Sequence, residues 1–411
     1  MSAEPAVDAA RAIADLRELD RRTGGAGGAR RVCWGPEWRD ARELLVELLD
    51  ELGLAPERDQ AGNLWAYLEG EREPALALGS HVDSVPAGGW LDGALGVMAA
   101  VAVLRAWAGA GERPPRTLAL VDFADEEGAR FGRSLFGSSA VSGTLVPSEL
   151  EGLRDAAGEP IAAVLADNGV ELGGAPRAAS RAKRVAAYLE LHIEQGPVLE
   201  AEGLRAAAVS GCAGVERHRF RIEGQASHAG TTPMDRRRDA GLAAADAALR
   251  IERIPDAEGG VTTTGALELD PGIPTAVAGT ASLAVDLRNP DAAALARMLD
   301  AARGAVDDAA AARGCEASSE LVWRIEPIGF DPELVELARE ACREAAGSDR
   351  VLASGALHDA AEIARARPAA MVFTPSIAGI SHAREEDTAE DDLAAAIEAF
   401  GLLANRAAAA G

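Results

Sequence analysis

Residues 75–109 read ALALGSHVDSVPAGGWLDGALGVMAAVAVLRAWAG. The stretch changes its pattern twice. Ala75–Gly79 is a short apolar run, the signature of a strand buried on both faces. Residues 94–109 are rich in Ala, Val and Leu and predict a helix. Between them lies a glycine-rich loop that carries His81, Asp83 and Asp92. A turn needs the glycines for their backbone freedom, but neither a histidine nor the acids. Residues 117–123 (TLALVDF) then form a second buried apolar run, which ends at Asp125-Glu126-Glu127. Strand, loop, helix and strand in this order predict an α/β sheet with its chemistry at the C-terminal ends of the strands.

The rest of the chain extends this pattern. Residues 37–53 predict an amphipathic helix closed by glycine, and 184–194 a further strand. After an interruption, 351–354 and 369–374 predict strands, with helices at 332–345, 359–366 and 388–405. The interruption has its own order. Strands at 215–223, 261–269, 276–288 and 316–325 alternate with helices at 236–254 and 292–312, giving βαββαβ, the ferredoxin-like arrangement. The expected fold is therefore an α/β domain with a mixed central sheet, residues 1–213 and 327–411, with an α+β domain inserted at 214–326.

A chain of 411 residues suits two domains. Its net charge of −25 opposes binding to nucleic acid or to an anionic membrane surface. No apolar run is long enough to span a bilayer, and the acidic N-terminal stretch lacks the pattern of a signal peptide. The four cysteines, Cys33, Cys212, Cys315 and Cys342, are far apart. They read as buried thiols of a cytoplasmic protein and not as a disulfide frame.

Only six histidines occur, so each can be weighed singly. His81 and Asp83 are two residues apart on extended chain, so their side chains point the same way. The carboxylate can steady an imidazole that ligates a metal. Asp92 precedes a helix and reads either as a cap or as a carboxylate able to bridge two cations. Three acids in a row at 125–127 repel one another unless a cation is near, or unless the loop is simply solvated. His192 and His382 each follow an apolar run and read as core histidines or as ligands. Taken together, imidazoles and carboxylates at strand ends of one sheet suit Zn, Mn or Co better than Ca or Mg. Five such groups are enough for two ions, with one glutamate left over as a general base.

The segments GSHVDSVPAGGWLDGALGV, FADEEGARF, ELHIEQGPVLE, GQASHAGTTPMDRRRDA, SGALHDA and GISHAREEDT resemble, in order, the motifs of the amidase/hydantoinase/carbamoylase family of dinuclear zinc hydrolases. The resemblance covers about residues 20–408. It implies a zinc-peptidase-like catalytic domain with an inserted lid that also carries the contact of a homodimer. It implies two divalent ions per subunit, zinc first, with manganese or cobalt as alternatives. The ligands would be His81, Asp92, Glu127, His192 and His382, with Asp92 bridging and Asp83 steadying His81. Glu126 would be the general base, and His228 would stabilise the oxyanion when the domains close. Gln195, Arg288 and His358 would lie at the substrate, Arg288 holding its carboxylate. Thr275 stands where the family has a substrate-binding asparagine, which puts the usual substrate preference in question. The implied reaction is hydrolysis of an N-carbamoyl-L-amino acid, or of a ureido acid such as allantoate or N-carbamoyl-β-alanine, with release of ammonia. A dipeptidase, aminopeptidase or aminoacylase is the alternative.

Overall fold

The computed structural model describes residues 4–410. The chain forms two compact units, one from Cys212 to Ile328 and the other from the segments on either side of it.

The first unit is built on a mixed sheet. At its centre four parallel strands run in the order Leu118–Phe123, Ala75–His81, Val185–Ile193, Ala369–Thr374. Antiparallel strands flank them: Leu64–Leu68 beside Leu118–Phe123, and Ala207–Cys212 beside Ala369–Thr374. Three of the four parallel strands are buried along their whole length, as expected where helices cover both faces. The helix Ala94–Ala110 is apolar on almost every side because it lies beneath other elements and not at the surface.

The order of the strands sets the place of the site. From Ala75–His81 the chain steps to Leu118–Phe123 on one side, whereas Val185–Ile193 and Ala369–Thr374 lie on the other. The direction of winding reverses between Ala75–His81 and Val185–Ile193. A crevice opens outside the carboxyl ends of strands at such a switch point. His81 ends one of these two strands, and His192 is the next-to-last residue of the other.

A buried ion pair fixes the strand end that carries His81. Arg42, on the helix Pro36–Asp50, places Nε 2.6 Å from Asp122 Oδ2. The other oxygen of Asp122 accepts from the backbone N–H of Val82 at 2.9 Å. One carboxylate thus ties a helix to the residue between His81 and Asp83. Both partners are fully buried, so removing either would leave an uncompensated charge in the core.

The inserted unit has a four-stranded antiparallel sheet in the order Glu316–Ile325, Gly214–Glu223, Thr280–Asn289, Val261–Asp270. Two helices, Ala240–Ile251 and Ala292–Ala311, pack on one face through Phe220, Ile222, Leu283, Val285, Leu287, Met298 and their neighbours. Two expectations are corrected. The strand expected over 276–288 is broken at Ala278-Gly279. Ala276–Val277 pairs with Ser227–His228, while Thr280–Asn289 pairs with Gly214–Glu223. The change of partner occurs at a corner where Gly224 N–H donates to the Gly279 carbonyl. The helix expected over 236–254 begins only at Ala240, because the Asp239 carboxylate accepts from Leu242 N–H and caps it there.

Candidate metal centre

The loop after Ala75–His81 aims two side chains inward. His81 places Nδ1 3.1 Å from the carbonyl oxygen of Asp83, a position from which it donates. That leaves Nε2 facing Asp92 Oδ1 at 3.6 Å and Glu126 Oε2 at 3.7 Å. The residue after Asp92 has to be glycine. Gly93 has φ +64°, and a Cβ there would come within 2.3 Å of the His81 ring.

His192 is oriented in the same way. Its Nδ1 lies 2.9 Å from the Ile193 carbonyl, and its Nε2 3.2 Å from Asp92 Oδ1. His382, at φ +56°, turns Nε2 to 3.4 Å from Asp92 Oδ2 and 3.4 Å from Glu127 Oε2. Among the described residues, two groups of three therefore form around Asp92: His81, Asp92, His192 and Asp92, Glu127, His382. They share Asp92, one on each of its oxygens. Each group offers imidazole and carboxylate donors, the first wholly buried and the second open to solvent at His382, and these suit a divalent transition metal.

Asp83 does more than face His81. Its carboxylate accepts from the backbone N–H groups of Glu126 at 3.3 Å and Glu127 at 3.2 Å. It lies farther from the His81 ring, at 3.5 Å, than its own carbonyl does. Asp83 thus holds the turn that presents both glutamates. Asp125, the first of the three acids, turns away and accepts from Trp34 Nε1 at 3.0 Å. The triple-acid stretch is therefore divided: one residue anchors the loop and two face the site.

The electrostatics follow from burial and crowding. Burial pushes the Glu126 carboxyl well above the usual range, with Asp359 and Glu127 adding to it and His81 opposing it. Burial and then Asp92 raise Glu127 to about 7. His81 works against burial, yet Glu126 and Asp83 hold its pKa well above the ordinary imidazole range. The hydrogen bond to Asp92 leads the causes that raise His382 to about 9. Asp92 goes the other way despite its burial, because His192 and His382 hold it as the carboxylate.

Gln195, at φ +57°, donates from Nε2 to Asp92 Oδ2 at 2.8 Å, while its own Oε1 is buried without a partner. His358 is only 2% exposed and packs against His192, with ring centroids 4.4 Å apart. Its Nε2 meets Ser354 Oγ at 3.0 Å, and burial, then His192, keeps its pKa well below the ordinary value. The expectation of substrate contact for His358 thus meets a ring enclosed behind His192.

The inserted unit holds the remaining expected residues. His228 is exposed, and its Nδ1 accepts from Gly230 N–H at 3.0 Å, so in the neutral ring Nε2 carries the proton. Thr275 lies close to it in the paired segment, its carbonyl accepting from Ala229 N–H at 2.9 Å. Arg288 places Nε 2.8 Å from Asp286 Oδ1, and Arg217 holds the other oxygen of Asp286 at 2.7 Å. His218 lies on the buried face of its strand, 2.9 Å from Glu216 Oε2.

Sequence reasoning passed over Ser381 and Glu386. Ser381 Oγ lies 3.0 Å from Asp92 Oδ2, and Glu386 is 98% removed from solvent beside it. The only signal was a run of acids after His382, which in so acidic a chain reads as a solvated loop.

Known proteins carry the same architecture. Residues 77–406 match the model of peptidase family M20/M25/M40. The chain is 35% identical to an N-carbamoyl-L-amino-acid amidohydrolase of Paenarthrobacter aurescens, over 92% of this chain and 93% of that protein. It is 33% identical to an allantoate amidohydrolase of Escherichia coli, over 92% of each. A solved amidase of the hydantoinase/carbamoylase family from Burkholderia multivorans superposes with a TM-score of 0.89 at 32% identity, covering 99% of this chain and 100% of that one. On this likeness, which runs through the strand ends described above, the chain belongs to peptidase family M20/M25/M40.

Proposed function

We propose that this chain is a divalent-metal amidohydrolase that cleaves the carbamoyl C–N bond of an N-carbamoyl-L-amino acid or a related ureido acid and releases ammonia. One observation carries the reading: two three-residue donor groups share Asp92, with Glu126 beside them and in neither. The amidohydrolase names of the relatives support the choice of bond.

His81, Asp92 and His192 would hold one ion, and Asp92, Glu127 and His382 a second, zinc first among zinc, manganese and cobalt. When bound, such ions draw electron density from a carbonyl and acidify water. The remaining work belongs to the chain. Glu126 takes a proton from the water that adds to the carbamoyl carbon. It delivers that proton to the nitrogen as the C–N bond breaks, so ammonia leaves and a carbamate remains. Burial beside the donor groups raises the Glu126 carboxyl above the ordinary carboxylate range. Asp83 keeps Glu126 in place through the backbone. His228, with its proton on Nε2, is the proposed donor to the developing oxyanion. Arg288 is the proposed partner of the substrate carboxylate.

The test is ammonia release from N-carbamoyl-L-amino acids, N-carbamoyl-β-alanine, allantoate and dipeptides, each with zinc, manganese or cobalt. Turnover of at least one ureido acid is expected; cleavage of dipeptides alone would overturn the reading. In the same assay Arg288→Ala is expected to raise KM about 10–100-fold, the equivalent of one lost charge-assisted pairing. An unchanged KM would move the carboxylate site elsewhere.

A homodimer through the inserted unit belongs to this reading. Its edge strand Val261–Asp270 exposes Val261, Leu267 and Leu269, and the helix Ala240–Ile251 exposes Leu242 and Leu249. Unpaired edges and clustered apolar side chains are surfaces that associate. Sedimentation velocity is expected to give a dimer that Leu267→Glu with Leu269→Glu dissociates; a monomeric parent would refute it.

A further inference from the structure

Glu386 is a buried carboxylate outside both donor groups, and every hydrogen bond of its side chain goes to Asp92 or to the residue just before Asp92 or His382. Its Oε1 accepts from the backbone N–H of Leu91 at 3.1 Å and of Asp92 at 3.0 Å, 294 residues away in the chain. Its Oε2 lies 2.9 Å from Ser381 Oγ, which is also 3.0 Å from Asp92 Oδ2. The single hydroxyl proton of Ser381 is thus placed between two carboxylates, one residue before His382. Trp90 adds a second tie, donating from Nε1 to Asp387 Oδ1 at 3.1 Å. Position 89 must be glycine to leave room, since a Cβ there would lie 2.1 Å from Glu386 Oε1.

We propose that Glu386 is a positioning residue for cation binding, a clamp that locks the Asp92 loop to the Ser381–His382 loop and so sets the spacing of the second donor group. The inference rests on the reading of Asp92 and His382 as cation ligands. Glu386 carries the same charge as Asp92, so direct attraction between the two is not its contribution. Its favourable contacts are with N–H and O–H donors, and they fix where the Asp92 carboxylate and the His382 ring stand. Only 2% of it is exposed, so substrate does not reach it. Groups that orient ligands in this way typically change metal affinity about 10–100-fold when lost.

The experiment measures zinc Kd by competition with a chromophoric chelator, on protein first stripped of metal and checked for fold by circular dichroism. Glu386→Ala is expected to raise Kd about 10–100-fold. Glu386→Gln is expected to stay near the parent. Its carbonyl still accepts from Leu91 and Asp92, and its amide donates to Ser381 Oγ, whose proton then goes to Asp92. Parental affinity in Glu386→Ala overturns the proposal, as does a loss in Glu386→Gln equal to that in Glu386→Ala, which would assign the effect to charge. If Glu386→Ala does not fold, Ser381→Ala decides. A raised Kd there supports the clamp, and parental affinity overturns it. A parent that binds neither zinc, manganese nor cobalt would instead sink the ligand reading itself.

Discussion

Glu126→Gln is expected to lower kcat on the best ureido substrate by roughly 10²–10⁴-fold, the usual contribution of a positioned acid–base group. That range corresponds to about 3–5 kcal/mol of barrier. The amide has the shape of the carboxylate but cannot accept a proton from water or return one to the leaving nitrogen. Glu126 belongs to neither donor group around Asp92, so bound metal should match the parent. The backbone of the variant stays anchored, because Asp83 holds it through N–H groups and not through the side chain. Turnover within a few-fold of the parent would remove Glu126 from the reaction. A parallel loss of metal would make it a ligand instead. Elemental analysis beside the rate assay separates the two.

The sheet was legible because its central strands are short apolar runs followed at once by polar loops. ALALG before His81, and TLALVDF before the acids at 125–127, announce both the strand and the end that carries the chemistry. His81, His192 and His382 stand out for the same reason, being polar residues after an apolar run, and Asp92 as an acid in the glycine-rich loop before a helix. The inserted unit could be read from its order of elements, but not its corner. The pairing of Ala276–Val277 with Ser227–His228 depends on where two distant segments meet, and local alternation runs straight through Ala278-Gly279. The cap at Asp239 was visible only as one acid among arginines. Glu386 was the least legible residue of the site. In AREEDTAE it is one acid among several, and nothing local separates it from Glu385, which is exposed. What buries Glu386 and leaves Glu385 in water is the loop of Leu91 and Asp92, which offers two N–H donors at that one position. Burial of a charge by tertiary hydrogen bonds leaves no trace in sequence period. The left-handed backbone at Asp125, Gln195 and His382 is equally silent, since no glycine marks it.

Asp92→Ala is expected to have the complementary signature, losing the metal first and the turnover with it. Asp92 is the one residue common to both donor groups. Without it, His81 and His192 are left on one side and Glu127 and His382 on the other. Two ligands each fall short of the three protein groups by which catalytic transition-metal sites hold an ion. Metal-dependent activation is worth several kcal/mol, so kcat/KM is expected to fall by roughly 10³-fold or more even with metal added in excess. The loss also removes one acceptor of Gln195 Nε2 and a partner of Ser381 Oγ. Circular dichroism of the metal-free variant therefore has to accompany the measurement, to show that the chain still folds. Metal bound at the parental stoichiometry in folded Asp92→Ala would refute a shared carboxylate. Binding reduced by half would mean that one group of donors stands without it. Glu126→Gln and Asp92→Ala thus change carboxylates near the same imidazole with opposite expected effects on metal. That pair of results is expected of a site in which one carboxylate moves protons and the other holds the metal.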